Sequence, residues 1–167
     1  MYAFYIRLIF ISLFINRSLF ADSHILEQEN FEAWQFTCVS EQNQKICDLR
    51  EFVFDSNTNE VVSYLSVTIN PEKLTQMQIA FPHAVNLKIP VKLQVDDNNP
   101  IDLNYAYCNQ SACFVAEIIG DNFVNFFKSG NQISIKVLFL DNREATITYS
   151  LSGFTAGYNK LSGSSIN

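Results

Sequence analysis

Positive charge is scarce in this chain and nowhere clustered. Only 11 Lys and Arg stand against 17 Asp and Glu, a formal net charge of -6 over 167 residues. Binding through nucleic-acid phosphates or anionic lipid headgroups depends on dense basic patches, so both classes are set aside. Histidine is scarcer still, with His24 and His83 alone. The chain also lacks a P-loop, a Rossmann glycine pattern, a G-x-S-x-G elbow, an H-E-x-x-H helix and a C-x-x-C pair. Each absence removes the chemistry that its spacing serves. Past residue 21 no apolar run approaches the length of a membrane-spanning helix. Charged residues make up 17% against 48% hydrophobic and 14% aromatic, which argues against disorder and supplies ample core. No linker or internal repeat is visible, and a chain of this size holds one domain comfortably.

What is present begins with a leader. Arg7 precedes the apolar run Leu8–Ile15, too short to cross a bilayer but suited to a secretory h-region. Residues 1–21 are read as a signal peptide, with cleavage after Ala21 or after Ser23; the competing reading is an uncleaved anchor or a buried helix. No cysteine near the cut suggests a lipid anchor.

The remaining pattern is strand and turn. Residues 22–30 read as a polar lead-in, with His24 beside the cleavage site, and Phe31–Val39 as a strand with Trp34, Phe36 and Cys38 on one face. A polar tip leads to a partner strand over Ile46–Phe54. Val61–Ile69 is β-branched and reads as a central strand, stopped by Asn70-Pro71. The stretch from Pro71 to Gln76 is either one helical turn or a loop. Pro82 and Pro90 divide Met77–Val95 into two strands, with Leu87, Ile89, Val91, Leu93 and Val95 predicted on the buried face of the second. Asp96 to Pro100 is turn-forming, and Ile101, Leu103, Tyr105 and Tyr107 then alternate as one strand leading into a hairpin.

Asp121 is an expected N-cap, Phe123, Val124, Phe126 and Phe127 fall at helical spacing, and Gly130 suits the C′ position. A helix is therefore predicted near residues 121–129. Two further strands follow, carrying Ile133–Phe139 and Ala145–Leu151, and residues 162–167 read as a frayed tail. Eight or nine short strands with one helix predict an all-β, antiparallel β-sandwich or barrel, a single domain over residues 22–161.

Four cysteines in an exported chain imply two disulfides. Three connectivities are possible, and the local one, Cys38–Cys47 with Cys108–Cys113, agrees best with two stapled hairpins. Zinc ligation is the weaker alternative, since only Cys108 and Cys113 approach the required spacing. His83 follows Pro82 in a loop with no partner nucleophile in view, and Asp96-Asp97 beside Asn98-Asn99-Pro100 reads as a turn rather than an acid/base or metal pair. Asn109-Gln110-Ser111 matches a short glycosylation pattern. Trp34, Phe36, Tyr105, Tyr107 and Phe114 are either core or the lining of a ligand pocket between sheets. No catalytic, cofactor or metal residue is assigned.

Several short pieces recur in one order: Trp34-Gln35-Phe36-Thr37-Cys38, Cys47-Asp48-Leu49, Phe81-Pro82, Tyr107-Cys108 to Cys113-Phe114-Val115-Ala116, Lys128-Ser129-Gly130, and Gly153-Phe154-Thr155-Ala156. Together they resemble the invasion-associated locus B (IalB) family of exported Gram-negative proteins. The sequence departs from that pattern where the family often has glycine, at His83-Ala84 and Ile89-Pro90-Val91. The resemblance implies a small β-sandwich, periplasmic, outer-membrane-associated or secreted, with no enzymatic activity. It implies protein partners in host-cell association and virulence, and no catalytic residues to carry over. The alternative expectation is a periplasmic module binding a small apolar or sugar ligand.

Overall fold

A computed structural model describes residues 24–42 and 44–164. The predicted leader and both cleavage sites lie outside the described residues, as do the last three residues of the predicted tail. Among those described, eleven strands form two open antiparallel sheets. The first five run as a meander: β1 (His24–Phe31), β2 (Trp34–Glu41), β3 (Gln44–Phe54), β4 (Val61–Ile69) and β5 (Thr75–Phe81). The chain then crosses to a second sheet for β6 (Val91–Val95) and β7 (Ile101–Leu103), and returns for β8 (Tyr107–Cys108) and β9 (Cys113–Ile119). Helix α1 (Asp121–Ser129), strands β10 (Gln132–Leu138) and β11 (Glu144–Ser150), and helix α2 (Phe154–Ser164) complete it. The large sheet has order β1-β2-β3-β4-β5-β9-β8, the small one β11-β10-β6-β7. Neither closes, so the architecture is a sandwich and not a barrel.

Period-two alternation decides the layers. Trp34, Phe36, Leu49, Leu65, Val67, Met77, Ile79 and Val115 all point inward and are fully or nearly fully buried. They meet Val91, Leu93, Val95, Ile133, Ile135 and Tyr149 from the small sheet in one continuous core. Helix α2 covers the inner face of β1–β4, supplying Phe154, Tyr158 and Leu161.

Several expectations need correction. The polar lead-in is strand β1, an edge strand whose glutamates are gripped by Lys160 of α2, with Glu27 at 2.5 Å and Glu29 at 3.3 Å. Glu32, at φ 53°, makes the tight turn into β2, so Phe31 closes β1 instead of opening the next strand. The closing segment is helix α2, which runs through Ser164 where a tail was predicted from residue 162. Residues 101–107 are not one strand, because the chain leaves the small sheet after Leu103 and joins the large one at Tyr107. Leu87 and Ile89 are 53% and 45% exposed, since the turns after Pro82 delay β6 until Val91. The stretch from Pro71 is a turn followed directly by β5.

Helix α1 occupies residues 121–129 as expected, but its caps differ. Gly120 is the N-cap, with no side-chain cap bond, and Asp121 sits in the first turn. Gly130 has φ -87°, extended and not left-handed. Its glycine answers to space, because a Cβ there would stand 2.5 Å from Val95 Cγ1 and 2.9 Å from Leu151 Cδ1.

Candidate functional site

The large sheet has a second face, and no described element covers it. Cross-strand register resolves it into rows. Phe52, Tyr64, Ala80, Phe114 and Tyr107 are successive partners across β3, β4, β5, β9 and β8, forming an aromatic ridge interrupted at Ala80. The rings lean on one another: Phe52–Tyr64 at 6.1 Å, Tyr64–Phe114 at 6.5 Å, and Phe114–Tyr107 stacked at 4.9 Å. Beside it run Gln35, Arg50, Ser66, Gln78 and Ala116, then Thr37, Asp48, Thr68, Gln76 and Ile118. These two rows are smaller and mostly uncharged.

Arg50 joins ridge and rows. Its guanidinium lies 4.6 Å from the centre of the Tyr64 ring and 5.6 Å from that of Phe52, and pairs with Asp48 at 2.5 Å. Crowding on this face pushes the Asp48 carboxyl above its ordinary value, although Arg50 opposes the shift. The Arg50 Nε–H is buried and makes no hydrogen bond. A trough of about 370 Å³ follows the small rows, lined by Gln35, Thr37, Val39, Ile46 and Thr68 and bounded by Asp48, Arg50 and Phe52.

At the far end of the ridge a cleft of about 490 Å³ opens between β4, β5 and the β8–β9 turn. Val61, Val62, Tyr64, Phe81, Pro82 and Phe114 make its apolar walls, and Ser63, Asn109 and Ser111 add polar groups. That turn is held firmly. Asn109 Oδ1 accepts from the backbone N–H groups of Ser111 and Ala112, and the His83 ring contacts the Asn109 carbonyl at 2.7 Å. The Cys108–Cys113 disulfide closes its base.

Both local cysteine pairs are bonded, each across directly opposed residues of a hairpin. Cys38–Cys47 lies on the inner face in the core, whereas Cys108–Cys113 staples the exposed turn. Trp34 is buried, donates from Nε1 to the Ser150 carbonyl at 2.8 Å, and meets Phe154 edge-on at 5.0 Å. Gly153 adopts φ 86°, and a Cβ would fall 2.0 Å from the Phe31 carbonyl oxygen. Pro82 rims the cleft, Thr155 Oγ1 reaches the Lys128 carbonyl at 3.4 Å, and Ala156 is exposed on α2. Asp96 accepts from the backbone N–H groups of Asn131 and Gln132, tying β6 to the start of β10 in a turn role.

The five aromatics considered as a pocket between the sheets do not converge. Trp34 and Phe36 are core, and Tyr105 is half-buried edge-on to Phe81 at 5.7 Å, its hydroxyl without a partner and burial pushing it up to about 12. Tyr107 and Phe114 belong to the outer ridge. Sequence reasoning did not single out Phe52, Tyr64 or Arg50. The signal was available in register, since outward positions on β3 and β4 are opposed only once both strands are paired.

Among the described residues, one buried carboxyl sits between the sheets. Glu51 is 8% exposed, and its Oε1 accepts from the Ser150 N–H at 2.9 Å while Oε2 has no partner. Burial pushes its pKa up to about 7. Tyr149 lies beside it, hydrogen-bonded to Ser63, which in turn donates to the Ala80 carbonyl at 2.6 Å.

The sequence model of "Invasion associated locus B (IalB) protein" matches residues 34–162, which is most of the chain. The chain belongs to the invasion-associated locus B family. Among IalB relatives, Invasion protein B of Bartonella bacilliformis is 25% identical over 138 residues, covering 80% of this chain and 73% of that one. The crystal structure of invasion associated protein B from Bartonella henselae shares the fold with a TM-score of 0.72 at 22% identity, covering 81% of this chain and 94% of that one. The places where this chain departs from the IalB pattern lie in the connection between β5 and β6 and at the start of β6. His83 braces the disulfide turn, and Pro90 stands immediately before β6.

Proposed function

We propose that this IalB-family chain is an exported, non-enzymatic protein that contributes to host-cell association through protein–protein contacts. The observation that carries the reading is the uncovered outer face of the large sheet. Phe52, Tyr64, Tyr107 and Arg50 concentrate there, and lysine is absent from its three central rows. Aromatic residues and arginine are the types enriched at protein interfaces, while lysine and glutamate are depleted. Two disulfides and a leader-like N-terminus support export to an oxidising compartment, whether periplasm, outer membrane or medium. Deleting the gene and measuring adherence to and entry into host cells tests the role. Association restored by a plasmid copy supports it, and unchanged association in the deletion strain points to a housekeeping envelope role instead.

The cleft beside Phe114 favours a second reading, a periplasmic module for a small, mainly apolar ligand. Its volume of about 490 Å³ lies within the usual range for ligand pockets, and a fixed turn forms one wall. A thermal-shift screen of extracted metabolites separates the readings. Reproducible stabilisation by one small molecule would place ligand binding first.

A further inference from the structure

We propose that the outer face of the large sheet is the contact surface of a two-fold symmetric homodimer. In it, the aromatic ridge of each copy enters the trough of the other. A two-fold interface must be self-complementary, so that each patch meets its own copy. This face has the two halves needed. Its ridge exposes Phe52, Tyr64 and Tyr107 around a buried Phe114, and its trough of about 370 Å³ is lined by Gln35, Thr37, Val39, Ile46 and Thr68. Rotation about an axis between ridge and trough places large side chains over small ones in both directions.

Charge favours a second copy over most other partners. The chain carries a net charge of -6, so two copies repel through most approaches. The three rows of this face hold one acid and one base, Asp48 and Arg50, two residues apart on β3. Their charges cancel within a copy, and under a two-fold axis each can also reach its opposite number. The unpartnered Arg50 Nε–H would then gain an acceptor. Other acids, such as Glu27, Glu29, Asp102 and Asp141, pair with lysine or arginine away from these rows.

Area is sufficient. Seven strands about 4.8 Å apart and strands about 20 Å long give a plan of roughly 600 Å². Side-chain relief raises this toward the ~800 Å² per partner of a standard-sized stable interface. Sheet-on-sheet packing is the usual way that such faces meet.

The test is the molar mass of the purified, oxidised, exported protein by light scattering and sedimentation at up to about 100 μM, an affinity range that covers weak dimers. A dimer is expected. Thr37→Lys, which fills the trough, and Ile118→Lys, at an exposed end of the third row, should each weaken it at least tenfold with unchanged far-ultraviolet dichroism. Leu140→Lys, equally exposed but away from this face, should leave it intact. A monomer throughout overturns the proposal, and so does a dimer indifferent to Thr37→Lys and Ile118→Lys. A monomer that uses this face to capture a glycan or a different protein overturns it as well. A dimer through this face commits to a second copy the surface on which the proposed function rests, whereas adherence of the deletion strain is measured without reference to oligomeric state, so the two readings fail separately.

Discussion

The two faces of the large sheet are built from the same strands and obey opposite rules. On the inner face, side chains interlock with a second sheet and a helix, and polar groups there are few and mostly bonded. On the outer face, rings lean on their neighbours along one row and on Arg50 and Phe54 beside it, and an ion pair lies half covered. A side chain on the first face meets a second layer as well as its own sheet, on the second its own sheet alone. Burial should therefore set stability from inside and leave the outside free to serve recognition.

The sharpest way to break that contrast is to truncate one large aromatic on each face. Trp34→Ala removes the contact with Phe154 and the bond to Ser150, and is expected to cost about 3–5 kcal/mol in urea unfolding. Phe52→Ala, half-buried on the ridge, should cost about 1 kcal/mol or less. Comparable losses from both would mean that the outer ridge is structural.

The disulfides repeat the comparison at smaller scale. Cys38–Cys47 spans nine residues in the core, and Cys108–Cys113 spans five at an exposed turn. Replacing Cys38 and Cys47 with alanine should lower stability by about 2–3 kcal/mol, by loop entropy and lost packing together. Replacing Cys108 and Cys113 should cost less, on the order of 1–2 kcal/mol, and should loosen the cleft, which amide exchange at residues 109–112 would report. Slower exchange there than in the parent would contradict the staple.

The last comparison concerns pH, through Glu51 on the inner face. Its folded-state pKa, pushed up to about 7 from an ordinary 4.5, means that the folded protein holds this proton more tightly than the unfolded chain. Its contribution is greatest at mild acid and is lost as pH rises from about 4.5 through about 7. Urea titrations should show parent stability falling by on the order of 1–3 kcal/mol relative to Glu51→Gln across that window. Parallel curves for the two proteins would remove Glu51 from the account.

Much of this architecture could be read before any coordinates. Strand β4 begins and ends where its β-branched run does, and α1 has the predicted bounds, because each is locally patterned and locally stopped. The elements that escaped are those made by distant partners. The β1 sequence HILEQENF shows no apolar alternation, since Lys160 and a neighbouring strand supply what burial does not. The α2 sequence FTAGYNKLSGS contains two glycines, a threonine and two serines, poor intrinsic helix formers, and it is held by packing on Phe36, Leu49 and Trp34. The outer ridge was illegible for a related reason. Its five members come from five strands spread over more than fifty residues, and only pairing lines them up.

The grip of Lys160 on Glu27 and Glu29 joins the first described strand to the last helix. Trp34 likewise waits for Ser150 and Phe154. Those contacts are distant in sequence, so the strands at the start of the described chain complete their core only with helix α2 in place. Helix α2 is thus the clasp that ties the first described strand to the core.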